Sequence, residues 1–271
     1  VKRRRLDLLL VEQGLLPSQK AAQAAVLAGE VRVDGKRADK PGVLFPAGVT
    51  VAVVPRRPRY VSRGGEKLEH ALRTFGIPVS GRVALDVGAS TGGFTDCLLQ
   101  HGARSVYAVD VGKGQLHWRL RQDPRVHLRE RTHAARLDAA ALPEPVDLAA
   151  VDVSFISLRR VLPGVAASVR PGGSIVALVK PQFEAARAEV PKGVVRSPEV
   201  HRHVLARIAG WIASQGWTLA GMTPSPLVGP KGNREFFFWV VKGLHPAVDD
   251  LDGAVAAVVR EAAPVAGINR L

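Results

Sequence analysis

A single cysteine, Cys97, in 271 residues excludes an internal disulfide and any thiolate metal cluster. It follows a glycine turn on an apolar helical stretch, where a cysteine reads as a core residue. No uncharged apolar run is long enough to cross a bilayer. The basic start is not followed by an apolar h-region or a small-residue cleavage site, so secretion is not expected. Of the eight histidines only His201 and His203 come close to a pair. A spacing of two on a helix sends them to different faces, so no metal site is expected. Internal repeats and low-complexity tracts are absent. Acid is also in short supply: 38 Lys and Arg stand against 24 Asp and Glu, a net charge of +14. Such a balance suits a polyanionic partner.

The positive charge is uneven. Residues 1–63 hold 13 Lys and Arg against 5 acids, and the other 208 residues hold 25 against 19. A solvated surface explains scattered charge but not this clustering. An acidic membrane would attract the same cluster, yet no amphipathic basic helix with aromatic anchors accompanies it. With 46% apolar and 23% charged residues, the chain can bury a sizeable core, and its length favours two domains.

The first of these covers residues 1–55. Leu6 to Val11 predicts a short helix ending near Gly14, and Ser18 caps a second from Gln19 to Ala28, stopped by Gly29. Val31-Arg32-Val33 then meets the turn dipeptide Asp34-Gly35, and Val49 to Val54 supplies another strand. With Arg5-Leu6-Asp7, Gly14-Leu15, Ser18, Gly29-Glu30-Val31, Val33-Asp34-Gly35 and Lys40-Pro41-Gly42, this small α+β segment resembles the RNA-binding domain named after the fourth small-subunit ribosomal protein. That resemblance implies RNA contacts from Arg3, Arg4, Arg5, Ser18 and Lys20; Gln19 departs from it, since arginine more often follows the serine. Pro55-Arg56-Arg57-Pro58-Arg59 cannot be a helix interior, and residues 56–63 read as a stiff basic linker offering Arg56, Arg57, Arg59 and Arg63 to the same RNA.

From 64 to 245 helices alternate with strands near Val83–Asp86, Val106–Asp110, Val126–Leu128, Leu148–Asp152, Ile175–Val179, Thr218–Ala220 and Phe236–Val241. This predicts an α/β domain with a mostly parallel seven-stranded sheet covered on both faces. Residues 246–271 read as a docking helix or a loose tail. Within the α/β part, Leu85-Asp86-Val87-Gly88-Ala89-Ser90-Thr91-Gly92-Gly93-Phe94 is a tight glycine turn between a strand and a helix. Asp110 closes the next strand, where a doubly wound sheet places a carboxylate against ribose hydroxyls. Ser90 stands where a dinucleotide fold needs its second glycine, which disfavours a pyrophosphate. An acid-led loop with this spacing suits S-adenosylmethionine, a cation without phosphate. The expected cofactor contacts are Asp86, Gly88, Ala89, Ser90, Thr91, Gly92, Gly93, Phe94 and Asp110.

Polar residues stand where a purely structural sheet would not need them. Asp152 and Lys180 end strands, Glu235 opens the last strand and Lys67 lies on the helix before the first. If the last strand runs antiparallel to the rest, all can meet at the carboxyl edge of the sheet, where open α/β folds bind ligands. Tyr60-Val61-Ser62-Arg63-Gly64-Gly65-x-Lys67-Leu68, the glycine turn, Asp152-Val153-Ser154-Phe155-Ile156-Ser157-Leu158, Val179-Lys180-Pro181-Gln182-Phe183-Glu184 and Gly232-Asn233-x-Glu235-Phe236 together resemble the TlyA family. These ribosomal RNA 2′-O-methyltransferases, sometimes labelled haemolysins, have a Rossmann-like catalytic domain of the FtsJ/RrmJ type. The resemblance implies a catalytic Lys67-Asp152-Lys180-Glu235 tetrad, S-adenosylmethionine as donor, cytidine ribose in ribosomal subunits as acceptor, and a cytoplasmic enzyme. A free lysine is mostly protonated at neutral pH. The expected arrangement therefore sets Lys180, as base or oxyanion stabiliser, opposite Lys67, with the two acids as positioners. Two rivals are a non-catalytic ribosome-binding or assembly factor and an RNA base N-methyltransferase. The second commonly needs an Asp/Asn-Pro-Pro-aromatic motif, and Asp152-Val153-Ser154-Phe155 lacks both prolines.

Overall fold

The computed structural model describes residues 3–54, 58–138, 140, 142–229 and 231–262. The chain divides into two units, one ending at Pro58 and one starting at Arg59. In the first, β1 (Arg3–Arg5) runs into α1 (Leu6–Glu12), followed by α2 (Gln19–Leu27), β2 (Val31–Val33), β3 (Lys36–Arg37), β4 (Leu44–Pro46) and β5 (Val51–Val53). β1 pairs antiparallel with β4, and β2 lies between β3 and β5. Leu6 and Leu10 of α1, Ala22 and Val26 of α2, and Val31 and Val33 of β2 close the small core. Ser18 caps α2, its Oγ accepting from the Ala21 amide at 3.2 Å.

The second unit contains α3 (Gly64–Phe75), β6 (Val83–Val87), α4 (Gly93–Gln100), β7 (Ser105–Val109), α5 (Trp118–Gln122), β8 (Val126–Arg129) and β9 (Val146–Val151). It continues through α6 (Leu158–Ser168), β10 (Val169–Val179), α7 (Pro198–Ser214), β11 (Thr218–Pro224), β12 (Phe236–Val241) and α8 (Leu251–Ala262). The strands form one seven-stranded sheet in the order β11-β12-β10-β9-β6-β7-β8. Pairs from β10 to β8 are parallel, while β12 runs antiparallel to both neighbours.

Strand alternation decides which helices cover which face. Leu85, Ala149, Ala177, Phe236 and Phe238 pack with α6, α7 and α8. Ala84, Leu148, Val176, Leu178 and Phe237 pack with α3, α4 and α5. Val255, Val258, Val259 and Ala262 of α8 are buried in the first of these cores. Residues 251–262 are therefore a docked helix; 263–271 lie outside the described residues. Arg59 to Arg63, expected in the linker, belong to the second unit, with Tyr60 buried and the Val61 amide donating to Asp96 at 2.8 Å. Among the described residues no helix is long and apolar enough to cross a membrane.

Candidate active site

β6 ends in Val87 and the chain turns at Gly88 with φ +88°. A Cβ there would lie 2.3 Å from the Asp152 carbonyl oxygen, so Gly88 satisfies both the left-handed backbone and the close approach of two strand ends. Gly93 opens α4, where a Cβ would meet the Ser62 hydroxyl and the Gly65 amide. Its absence lets the starts of α3 and α4 meet. Asp86 is fully buried; its Oδ2 accepts from the Thr95 amide at 2.9 Å and hydroxyl at 2.7 Å, while Oδ1 has no hydrogen-bond partner. Burial pushes this carboxyl up to about 7, against the two bonds from Thr95.

Asp110, just past β7, holds the turn from the other side. Its Oδ2 accepts from the Ser90 amide at 2.8 Å and its Oδ1 from the Gly112 amide at 2.6 Å. Both oxygens keep further lone pairs for a ligand.

The four tetrad candidates converge. Lys67 Nζ donates to Glu235 Oε2 at 2.5 Å, with both side chains largely buried. Lys180 Nζ lies 2.5 Å from Asp152 Oδ1 and donates to Ser154 Oγ at 3.0 Å. The contact to Asp152 is an ion pair without hydrogen-bond alignment, so Oδ1 has no directed donor. Lysine faces acid in both cases. Each acid thus holds one lysine, Asp152 holding Lys180 and Glu235 holding Lys67, and both lysines line the same lobe. Burying charges in matched pairs avoids the large cost of an isolated one.

One cleft joins these groups to the glycine turn. A lobe of about 570 Å³ is lined by Asp110, Gln115, Thr132, Phe155 and others. A second, of about 400 Å³, is lined by Ser62, Arg63, Lys67, Lys180, Glu235 and the turn from Gly88 to Thr91, with Gly93 and Phe94. Gly88, Ser90, Asp152 and Ser154 line both. Asp86 and Gly92 are on neither wall: Asp86 is fully buried, and a Cβ at Gly92 would press on Leu116 and Leu120. Ser154, Gln115 and Thr132 escaped the sequence reading. Ser154 had a signal, standing two residues past Asp152 beyond the same strand end. Gln115 and Thr132 had none, being brought in by loops. Glu184 also carries a positioning duty: its carboxylate accepts from the Leu158 amide at 2.7 Å and Ser157 Oγ at 2.8 Å, tying the segment after Lys180 to the start of α6. Burial raises its pKa above the usual carboxylate range.

The RNA candidates differ among themselves. Arg3 and Lys20 are exposed, and Arg4 reaches Glu12 at 3.7 Å. Arg5 is already engaged, donating from Nε at 3.0 Å and from a terminal nitrogen at 2.8 Å to the fully buried Asp7. Gln19 and Gln23 donate to the same carboxylate at 3.1 and 2.9 Å, and chiefly the Arg5 bond holds Asp7 well below the usual carboxylate range. Gln19, which departs from the RNA-binding pattern, is thus part of an internal polar knot. Ser18 spends its Oγ on the helix cap. Arg59 pairs with Glu69 and lies over the Tyr60 ring, and Arg63 is exposed at the rim of the lysine-lined lobe. Arg56 and Arg57 lie outside the described residues. His201 is buried and His203 exposed. Among the described residues no cluster of His, Cys, Asp and Glu is placed to hold a metal ion.

Residues 60–242 match the FtsJ-like methyltransferase family and residues 4–51 match the S4 domain. YqxC of Bacillus subtilis is 47% identical over 237 residues, covering 87% of this chain and 84% of that protein. The 16S/23S rRNA (cytidine-2′-O)-methyltransferase TlyA of Mycobacterium tuberculosis is 45% identical over 258 residues, covering 91% and 96%. A solved structure from Streptococcus thermophilus, titled as a hemolysin, superposes with a TM-score of 0.75 at 41% identity, covering 96% of this chain and 95% of that one. A methyltransferase sheet with a glycine turn, two lysine–acid pairs beside it and an S4 unit ahead of it agree with these likenesses: the chain belongs to the FtsJ-like methyltransferases, in the TlyA/YqxC group that carries an N-terminal S4 domain.

Proposed function

We propose that the protein transfers a methyl group from S-adenosylmethionine to a ribose 2′-hydroxyl, that of cytidine, in ribosomal RNA within assembled subunits. The single observation that carries this reading is the pairing of Lys67 with Glu235 and of Lys180 with Asp152 in a cleft shared with the glycine turn. The cytidine and the ribosomal RNA follow the printed name of the M. tuberculosis relative. Work on ribosomal subunits implies a cytoplasmic enzyme.

The residues present fit the donor. The Asp110 lobe would take adenosine, its carboxylate accepting ribose hydroxyls. The acids on the lobe walls, Asp110 and Asp152, suit a cationic donor rather than a pyrophosphate. When bound, S-adenosylmethionine supplies an electrophilic methyl group on a sulfonium. The lysine-lined lobe would receive the acceptor ribose. A 2′-hydroxyl is a weak acid, so attack requires in-line placement and either removal of its proton or stabilisation of the charge that forms. Lys180 is the group assigned to that oxygen. Held by Asp152 and Ser154, it is placed to donate to that oxygen and stabilise the charge that forms, while the hydroxyl proton passes to water as the methyl is transferred and a neutral thioether leaves. Lys67, fixed by Glu235, lines the same lobe and orients the ribose from the α3 side. Neither acid needs to leave its lysine during the step.

The S4 unit would anchor the RNA through Arg3, Lys20 and neighbouring basic groups, with Arg4 free to exchange Glu12 for phosphate. The test is incubation with labelled donor and separated large and small ribosomal subunits, followed by mapping of alkali-resistant ribose positions. Label in a cytidine 2′-oxygen supports the reading. Label on a base nitrogen, or donor binding without transfer to either subunit, overturns it.

A further inference from the structure

The second unit carries a local concentration of positive charge. Residues 113–136 hold seven Lys and Arg against two acids, almost all of the excess positive charge found beyond residue 63. The segment is also knit into one surface. The Thr132 amide donates to the Asp110 carbonyl at 3.0 Å, the Arg131 amide to the Gly112 carbonyl at 3.2 Å and the Gly114 amide to Glu130 at 2.6 Å. Arg121 pairs with Glu130 and Arg125 with Asp123, so both acids are used internally. Lys113, Arg119, Arg129 and Arg131 are exposed and make no ion pair among the described residues. β8 is the edge strand of the sheet, and its alternation turns His127 and Arg129 outward.

Amid this charge stands Trp118, a large aromatic left 60% exposed. Its ring stacks on His117 at 5.9 Å, and the Arg119 guanidinium lies 5.7 Å from its centroid. An exposed indole costs hydration free energy with no packing gain, and an arginine over it holds its orientation. Basic groups that follow a backbone, interleaved with an aromatic on which a base can stack, are the two components of a single-strand nucleic-acid surface. The surface adjoins the cleft: the His117 amide donates to the Thr91 carbonyl of the glycine turn at 3.2 Å, and Gln115, Thr132 and His133 line the Asp110 lobe.

We infer that the exposed Lys113–Arg136 surface of the catalytic unit is a second RNA-binding face, on which Lys113, Arg119, Arg129 and Arg131 contact phosphates and Trp118 stacks on an unpaired base. This rests on the proposed RNA substrate and adds a contact that the S4 unit does not supply. Its use would be register: an anchor on the catalytic unit itself fixes where the strand enters the lysine-lined lobe.

The test uses the full chain with purified large and small ribosomal subunits. In Lys113→Gln/Arg119→Gln/Arg131→Gln the slope of log affinity against log salt should flatten by about two units, at roughly 0.7–0.9 for each phosphate no longer neutralised. KM for subunits should rise while kcat and S-adenosylmethionine affinity stay unchanged. Trp118→Ala should weaken subunit binding roughly five- to a hundredfold, and Trp118→Phe should restore most of it. A triple variant with wild-type affinity and salt slope overturns the inference while leaving the methyltransferase reading intact, provided the wild type still methylates. Equal weakening in Trp118→Phe and Trp118→Ala, with lowered Tm in both, also overturns it, by showing a packing role. A wild type that neither binds nor methylates subunits overturns both.

Discussion

Lys67 and Glu235 are 168 positions apart in the chain and 2.5 Å apart in space, so the pair ties the start of the domain to its last strand. Removing one partner of a buried pair leaves the other unmatched and typically costs about 3–5 kcal/mol, whereas replacing both by apolar residues of similar volume is often neutral. Lys67→Met should therefore lower the urea midpoint clearly, and Lys67→Met/Glu235→Leu should recover most of that loss while remaining inactive. Recovery of methyl transfer together with stability would remove the pair from catalysis. Asp86 yields a prediction in pH. Its carboxyl sits near 3.8 in an unfolded chain and is pushed up to about 7 by burial. Between those values the folded protein holds a proton that the unfolded chain has released, so stability falls as pH rises through this window and the loss is complete above it. Asp86→Asn removes this contribution. Urea melts at pH 5 and pH 8 should show the wild type losing more than about 1 kcal/mol relative to the variant; parallel losses would mean that Asp86 is ionised when folded.

At the scale of elements, the glycine turn is the most constrained piece. Gly88→Ala should reduce S-adenosylmethionine affinity at least tenfold, because its positive φ and the Asp152 carbonyl 2.3 Å from the added Cβ both oppose it. Unchanged affinity by calorimetry would show that the turn has slack. The same turn was legible in the sequence, as were all seven strands of the large sheet, because buried strands read as short apolar runs bounded by turns and helices. β1 and β4 were not, since Arg3-Arg4-Arg5 has no apolar alternation and acquires its strand character only from pairing with Leu44 to Pro46. β10 begins earlier than its apolar run: Val169 pairs with Val146 before a register shift around Gly172 and Gly173, an irregularity that periodicity does not encode. That Lys67, Asp152, Lys180 and Glu235 can meet was readable from the strand ends and the helix before the first strand, but which lysine meets which acid was not. That depends on β12 running antiparallel, which brings Glu235 to the edge where β9 and β10 end. The basic surface around Trp118 was missed for a simpler reason: charge summed over 208 residues hides a local excess.

At the scale of the whole molecule, RNA capture and methyl transfer are expected to fall to different units. The first, about a fifth of the chain, carries 11 Lys and Arg against 5 acids, while all residues lining the two lobes lie in the second. A chain starting at Arg59 should keep S-adenosylmethionine affinity and lose productive capture of subunits, seen as a rise in KM of at least tenfold and a flatter salt dependence. Full-rate methylation of intact subunits by that chain would show that the S4 unit is not the principal anchor. The central claim is transfer to a ribose oxygen directed by Lys180. It is tested most directly by single-turnover transfer from labelled S-adenosylmethionine to purified ribosomal subunits, comparing wild type with Lys180→Ala and mapping the product by resistance to alkaline cleavage. The expected product is a 2′-O-methylated cytidine with the wild type, formed at a rate lower by on the order of 10²–10⁴ with the variant at equal donor affinity. A methyl group on a base nitrogen, or an undiminished rate in Lys180→Ala, would contradict it.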